Sequence, residues 1–150
     1  MKTIKKTFLA LVVTLTFLGC SKNDDDTPKE LAVNYQNMAG NWDLSSIIQA
    51  NGNVVSYQGL CTTKRDFFKI TLQYDITEEH YSPNCSSIGN SIDSDGYFIE
   101  GILIKNANGV FTDAKITSLT ANTMKIEYDQ QKSYGYFSTY EQVKGAILTR

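Results

Sequence analysis

The feature that most constrains this chain is a run of strict alternation between polar and apolar residues. Its apolar members occupy every second position: Phe68, Ile70, Leu72, Tyr74 and Ile76. Successive side chains of a strand point to opposite faces, so the run predicts a sheet with one buried and one exposed face. The run forms either one long strand or two strands joined by a tight turn near residues 71–73.

Short strand-like segments recur along the rest of the chain, separated by turn pairs such as Asn51-Gly52. The further predicted strands are 40–48, 54–58, 97–104, 110–117, 124–129, 134–140 and 143–149, and residues 82–96 are predicted to be irregular. Consecutive hairpins favour a closed sheet, because closure removes unpaired edges. The predicted fold class is all-β, a single small antiparallel up-and-down β-barrel of about eight strands.

The only tryptophan, Trp42, stands at the start of the first predicted strand. In an extended chain its side chain shares a face with Leu44 and Ile48, so it is predicted to fill the core. A buried indole N–H needs a hydrogen-bond partner nearby. Gly40 allows the chain to turn tightly beneath the ring.

Residues 1–19 have the pattern of a secretory signal. Three lysines precede an apolar run at residues 7–18, which is too short to span a membrane. Gly19-Cys20 at its end resembles the bacterial lipobox, and this resemblance implies that Cys20 is lipidated and becomes the new N-terminus. A conventional signal cut near Cys20, which releases a soluble secreted protein, is the alternative.

Residues 20–37 are predicted to be an acidic, disordered tether, because residues 21–30 contain four acids and no apolar face. An acidic cluster behind a lipidated cysteine resembles an export signal of surface lipoproteins in one Gram-negative lineage. The expected location is the bacterial outer membrane, with the lipid-anchored protein facing either the periplasm or the cell surface. Residues 38–150 then form the barrel domain.

The charge of the chain argues against some partners. The formal net charge is −2, and removal of residues 1–19 with their three lysines makes it −5. A protein that binds nucleic acid needs a basic face, and electrostatic attachment to anionic lipid needs a polybasic segment. We therefore expect no nucleic acid partner, and membrane attachment only through the lipid at Cys20.

Two cysteines remain once Cys20 is assigned to the lipid. Cys61 and Cys85 form an even pair in an oxidising compartment, and neither belongs to a Cys-x-x-Cys redox site or a zinc knuckle. We predict a structural disulfide between them. Closing a loop of this length stabilises the fold by about 3.5 kcal/mol in the chain-entropy treatment.

The residue inventory argues against catalysis. His80 is the only histidine, and we interpret it as a solvated residue at a strand end. Residues 93–96 have part of the pattern of a calcium loop, Asp-Ser-Asp-Gly. An EF-hand register with Gly96 sixth needs a glutamate where Ile102 stands. The chain is therefore predicted to be no enzyme and to use no metal and no cofactor.

Three features together resemble bacterial lipocalin-like lipoproteins of the calycin type. They are Gly40-x-Trp42, the placement of Cys61 and Cys85 on either side of a strand pair, and Ile116-x-x-Leu119-Thr120 leading to Met124-x-Ile126. The likeness covers most of residues 38–150. It implies a lipocalin-like barrel that binds a small hydrophobic or amphipathic molecule.

A barrel of about eight strands is just wide enough to be filled by its own side chains or to hold one small ligand. The residues predicted to line a ligand are Trp42, Leu44, Phe68, Ile70, Tyr74, Tyr128 and Phe137. The alternative is a ligand-free interaction or accessory module of an envelope complex. An open cavity of about 300 Å³ or more favours ligand binding, whereas a filled barrel with an exposed apolar patch favours a protein partner.

Overall fold

The computed structural model of the chain describes residues 27–92, 96–105, 107, 109–132 and 142–150. Several predictions fall outside these ranges: the signal peptide, Cys20, the first part of the tether, most of the calcium-like segment, Phe137 and the strand at 134–140. Within the described ranges, no helix has the length and apolar character needed to cross a membrane.

The described residues form ten strands and two short helical segments. The strands are β1 (Gly40–Gln49), β2 (Val54–Ser56), β3 (Phe67–Ile70), β4 (Ile76–Tyr81), β5 (Ser87–Ile92), β6 (Phe98–Glu100), β7 (Leu103–Lys105), β8 (Ala114–Leu119), β9 (Thr123–Lys132) and β10 (Val143–Thr149). The helix α1 (Tyr35–Met38) precedes β1, and a 3-10 turn (Gly109–Phe111) precedes β8.

All strand pairs are antiparallel, in the order β5-β4-β3-β1-β10-β9-β8-β7-β6, with β2 paired to β1. The first and last strands are therefore neighbours in the sheet. On one side of this pair, β3, β4 and β5 follow β1 as a meander; on the other side, β6 to β10 form a second meander. The sheet curls into a barrel-like shape, which confirms the predicted all-β, antiparallel fold class. Within the described ranges β5 and β6 form the two ends of this order and do not pair with each other.

Some strand boundaries differ from the predicted ones; the strand predicted at 110–117, for example, begins only at Ala114, because Val110 and Phe111 belong to the 3-10 turn. The alternating run forms two strands, β3 and β4, with a turn between them, as in the second of the two alternatives. The single strand predicted at 97–104 is wrong: Gly101, at φ +63°, turns the chain between β6 and β7. The irregular assignment of 82–96 is wrong for Ser87–Ile92, because β5 pairs along β4 despite its weak strand propensity.

The domain begins earlier than predicted. The carboxylate of Glu30 accepts hydrogen bonds from Ser118 Oγ and from the backbone N–H of Leu119. The backbone N–H of Leu31 donates to Leu119 O at 2.7 Å. Three alternating apolar side chains pack against the core: Leu31, Val33 and Tyr35. The predicted boundary at residue 38 is therefore wrong, because this period-2 apolar pattern attaches the last part of the predicted tether to the barrel.

The short helix α1 leads directly into the strand that carries Trp42. Asn34 caps the helix, since its side-chain oxygen accepts from the backbone N–H of Asn37 at 2.8 Å. Gly40 follows with φ +136°, a conformation that residues with a side chain rarely adopt. Gly40 is already part of β1, where it pairs with Ile70, so the tight turn predicted at this residue is wrong.

Trp42 is fully buried, as predicted, and its Nε1 donates to Met38 O at 2.7 Å. The guanidinium of Arg150, the last residue, lies 4.2 Å from the centre of the ring. Phe68 of β3 pairs with Trp42 of β1. Its ring packs edge to face against the ring of Phe111, with the ring centres 5.5 Å apart. These contacts join the start of β1 to the helix α1, to Arg150 and to the core.

Candidate functional site

The residues predicted to line a ligand have different locations. Five of them, Trp42, Leu44, Phe68, Ile70 and Tyr128, are buried members of one packed cluster. A ligand among them would have to displace these side chains. Tyr74 lies on the turn between β3 and β4 and is 48% exposed, so the prediction that it points inwards is wrong. The role of the other five as ligand contacts stays a prediction.

An open groove of about 360 Å³ lies between strands β1 and β2 and the loop that leads from β2 to β3. Its lining residues are Leu44, Ser45, Ser56, Tyr57, Gln58, Gly59, Cys61, Thr62, Thr63, Lys64 and Arg65. Most of these side chains are polar, two are cationic and none is acidic. The groove is therefore a polar, positively charged concavity on a chain whose net charge is −2.

A disulfide holds the loop that forms one wall of the groove. Cys61 and Cys85 are bonded, with their Cα atoms 5.0 Å apart, which confirms the predicted bridge. The bond ties the groove loop to the turn between β4 and β5. Lys64 strengthens the same connection, because its Nζ donates to Cys85 O at 3.1 Å and lies 4.7 Å from the centre of the Tyr81 ring.

Behind the groove lies a buried cluster of three ionisable side chains: Asp66, Glu78 and His80. His80 is only 5% exposed and stands between the two carboxylates. Its Nδ1 is 3.6 Å from Asp66 Oδ2, and its Nε2 is 3.3 Å from Glu78 Oε2. With the histidine protonated, the cluster carries two negative charges and one positive charge in a region shielded from water.

The carboxylates of this cluster have further hydrogen-bond donors. Asp66 accepts from the hydroxyl of Tyr57 and, at 3.0 Å, from the backbone N–H of Tyr81. Glu78 accepts from the backbone N–H of Val110 at 2.7 Å. Gly109 makes this last bond possible, because a Cβ atom there would lie 1.9 Å from Glu78 Oε1. Fixed donors of this kind favour the ionised form of Asp66.

The pKa of His80 responds to opposing influences. Burial lowers it, but the hydrogen bonds to Asp66 and Glu78 and the charges of both carboxylates outweigh burial and raise the pKa from 6.5 to about 9. For Asp66, burial raises the pKa, and the bonds from His80, Tyr57 and Tyr81 lower it further than burial raises it. Asp66, His80 and Glu78 are called the triad below; at neutral pH its His80 is protonated and its Asp66 is ionised.

The interpretation of His80 as a solvated residue is wrong. Ile76, Glu78 and His80 share the inward face of β4, while Glu79 and its neighbours of the other parity face outwards. Because both ring nitrogens face carboxylates, the ring is held as an imidazolium. A general base needs an unprotonated nitrogen at the operating pH, so this arrangement does not favour His80 as a base.

Tyr57 and Gly59 connect the triad with the groove. Both line the groove, and Tyr57 also donates its hydroxyl hydrogen to Asp66. A Cβ atom on Gly59 would lie 3.5 Å from Asp66 Oδ2, so only a thin wall separates that carboxylate from the groove. Neither the groove nor this wall could be predicted from the sequence, because residues 57–65 have no periodic pattern.

A second concavity, of about 390 Å³, lies along β7 and β9 and includes Lys105, Asp113 and Asp129. Its charges are of mixed sign, and Asp129 pairs with Lys115 at 2.5 Å. In the described part of the chain, no group of three or more potential ligands is arranged to hold a metal ion.

Comparison of the chain with protein-family models, curated proteins and solved structures gives no match. The relationship to lipocalin-like lipoproteins implied by Gly40-x-Trp42 and the accompanying motifs therefore stays a prediction.

Proposed function

We propose that this protein is a lipid-anchored lipoprotein of the bacterial cell envelope that binds a small amphipathic molecule. The binding site we propose is the groove between β1, β2 and the loop at residues 57–65. The observation that carries the proposal is the groove itself, an open concavity of about 360 Å³ with one wall fixed by a disulfide. This volume lies within the range of small-molecule sites in proteins.

The groove suits this role better than the barrel interior does. The predicted interior contacts, such as Trp42 and Phe68, are fully buried and packed against one another. Protein interiors are close-packed, so a ligand there would require rearrangement of the core. The groove is already open, and Leu44 and the ring of Tyr57 give it an apolar part beside its polar groups.

The proposed anchor is Cys20, at the end of the apolar run in the signal sequence. The packed part of the domain begins at Glu30. Residues 21–29 form the connection, and nine residues reach at most about 30 Å when extended. In this proposal the binding domain stays close to the membrane surface, on the periplasmic or the external side.

We expect Cys20→Ala to move the protein from the membrane fraction into the soluble fraction, because the lipid is the only proposed membrane contact. The measurement is fractionation of bacterial cells that produce each variant, followed by immunoblotting. Ser21→Ala is the matched control and should leave the protein in the membrane fraction. Retention of the Cys20→Ala variant in that fraction would contradict the proposed anchor.

We expect N-phenyl-1-naphthylamine, a small apolar dye, to bind in the groove with saturable, one-to-one fluorescence enhancement. The protein carries Cys20→Ala so that no detergent is needed. Ser56→Phe places a bulky side chain in the groove and should weaken dye binding about tenfold. Val54→Phe is the matched control, because Val54 is exposed on the same strand but does not line the groove. Equal binding by both variants would rule out this site.

A second candidate function is a ligand-free interaction module. Leu72, Tyr74 and Phe98 are each about half exposed or more. The backbone N–H of Tyr97, the residue before Phe98, donates to Tyr74 O at 3.0 Å, so the two segments are adjacent. Exposed apolar side chains that cluster favour a protein contact. Absence of saturable dye binding would favour the ligand-free interaction module.

A further inference from the structure

We infer that the ligand of the groove is an anionic amphiphile whose carboxylate, sulfonate or phosphate group is bound by Lys64 and Arg65. This inference rests on the proposed function and adds the chemical class of the ligand. Three observations support it: the distribution of charge around the groove, the hydrogen-bond donors that Lys64 and Arg65 have left, and the orientation of Asp66.

The charge of the groove is opposite to that of the chain. The eleven lining residues include two cations and no acid, although the chain as a whole has a net charge of −2. Like-signed charges that line a concavity raise the local concentration of the opposite charge. Five neutral polar residues line the groove together with the cations: Ser45, Ser56, Gln58, Thr62 and Thr63.

The two cations have capacity left for a ligand. Lys64 uses one N–H for Cys85 O, and this bond fixes the ammonium group against the disulfide. An ammonium group has three donors, so two remain. Arg65 is exposed and makes no hydrogen bond or ion pair with any other described residue. Its guanidinium can form the paired, parallel hydrogen bonds that suit carboxylate and phosphate oxygens.

Asp66, the acid next to Arg65 in the sequence, does not pair with these cations. Asp66 is adjacent to Arg65 in the sequence, but Asp66 is buried and Arg65 is exposed, so the two side chains point to opposite sides. The Asp66 carboxylate is engaged by Tyr57, His80 and the backbone N–H of Tyr81. An anion in the groove therefore meets two cations that no acid of the described chain already pairs.

The test compares two dyes with the same ring system, of which only one has a charge. 8-Anilinonaphthalene-1-sulfonate carries one sulfonate, and N-phenyl-1-naphthylamine carries none. We expect the sulfonate to bind about tenfold more tightly, and its affinity to fall as salt is added. The double variant K64Q/R65Q should weaken sulfonate binding about tenfold and change binding of the neutral dye by less than twofold.

Two controls separate charge from folding. K69Q removes an exposed lysine of β3 that does not line the groove, and it should leave both affinities unchanged. R65K keeps the positive charge and should retain most of the affinity for the sulfonate. Thermal unfolding followed by circular dichroism shows whether K64Q/R65Q still folds.

A competition arm identifies the source of the anion. Dissolved octanoate displaces the sulfonate dye if the ligand is a free amphiphile, whereas phosphatidylglycerol vesicles displace it if the ligand is a lipid head group. Displacement by either supports the inference, and displacement by neither contradicts it.

Equal affinity for the two dyes, unchanged in K64Q/R65Q, overturns the charge inference but leaves the groove as a binding site. Failure of both dyes to saturate removes the proposed function together with the inference.

Discussion

Replacement of His80 by glutamine should lower the free energy of unfolding by about 3 to 5 kcal/mol at pH 7. The substitution removes the buried positive charge between Asp66 and Glu78, and two carboxylates then remain close together without it. Loss of one partner from a buried ion pair has costs of this size, because the remaining charge stays out of water. The measurement is urea unfolding of both proteins, followed by circular dichroism.

Glu79→Gln is the matched control for this prediction. Glu79 precedes His80 on β4 but belongs to the opposite face, so its loss should change the unfolding free energy by less than about 0.5 kcal/mol. The double variant E78Q/H80Q removes a charge of each sign, and its destabilisation should be less than the sum of the two single effects. A decrease of less than about 1 kcal/mol in the unfolding free energy of H80Q would contradict a stabilising, protonated His80 between Asp66 and Glu78.

The same triad predicts how stability depends on pH. The pKa of His80 is raised in the folded state from 6.5 to about 9, so its contribution is fully present below pH 6.5 and is lost as the pH rises through 9. This rise corresponds to about 3 kcal/mol. Asp66, with its lowered pKa, contributes above its ordinary value of 3.8 and loses this contribution as the pH falls through its folded value. Stability should therefore be greatest between about pH 3.8 and pH 6.5. The H80Q variant should lack the decline in stability from pH 6.5 to 9.

Trp42→Ala should lower the free energy of unfolding by about 4 kcal/mol, because the indole is fully buried in the core. The substitution also leaves Met38 O without its 2.7 Å hydrogen bond and removes the ring beneath the Arg150 guanidinium. Since Trp42 is the only tryptophan, unfolding has to be followed by circular dichroism rather than by indole fluorescence.

Trp42→Phe tests the packing explanation. Phenylalanine keeps most of the apolar volume but has no N–H, so we expect a smaller loss of about 1 to 2 kcal/mol. Equal losses in the alanine and phenylalanine variants would indicate that the hydrogen bond to Met38, rather than the volume of the ring, determines the effect.

The fold class could be predicted because period-2 patterns act locally. The alternation that includes Phe68 and Ile70 and the burial of Trp42 follow directly from strand geometry. The same rule, extended by a few residues, places Asp66 on the face of Phe68, and Glu78 and His80 on the face of Ile76. The triad was therefore within reach of the sequence, but its inward-facing residues are polar and do not extend the apolar alternation that ends at Ile76.

The groove could not be predicted in the same way. Its wall is a loop without periodicity, and its shape depends on the disulfide to Cys85, on Lys64 and on the contact between Gly59 and Asp66. These are contacts between residues distant in the sequence. The attachment of Leu31 to β8 is another such contact, and it places the start of the domain before the acidic segment ends.

The central claim is that the ligand binds in the groove and not inside the barrel. The most direct measurement is a titration of the ¹⁵N-labelled protein carrying Cys20→Ala with 8-anilinonaphthalene-1-sulfonate, followed by amide NMR shifts. If the ligand binds in the groove, the amide signals of Ser45 and of residues 56–65 should show saturable shifts. The amide signals of core residues such as Ile104 and Ile116 should stay unchanged. Shifts centred on the core residues, or on Leu72, Tyr74 and Phe98, would contradict binding in the groove.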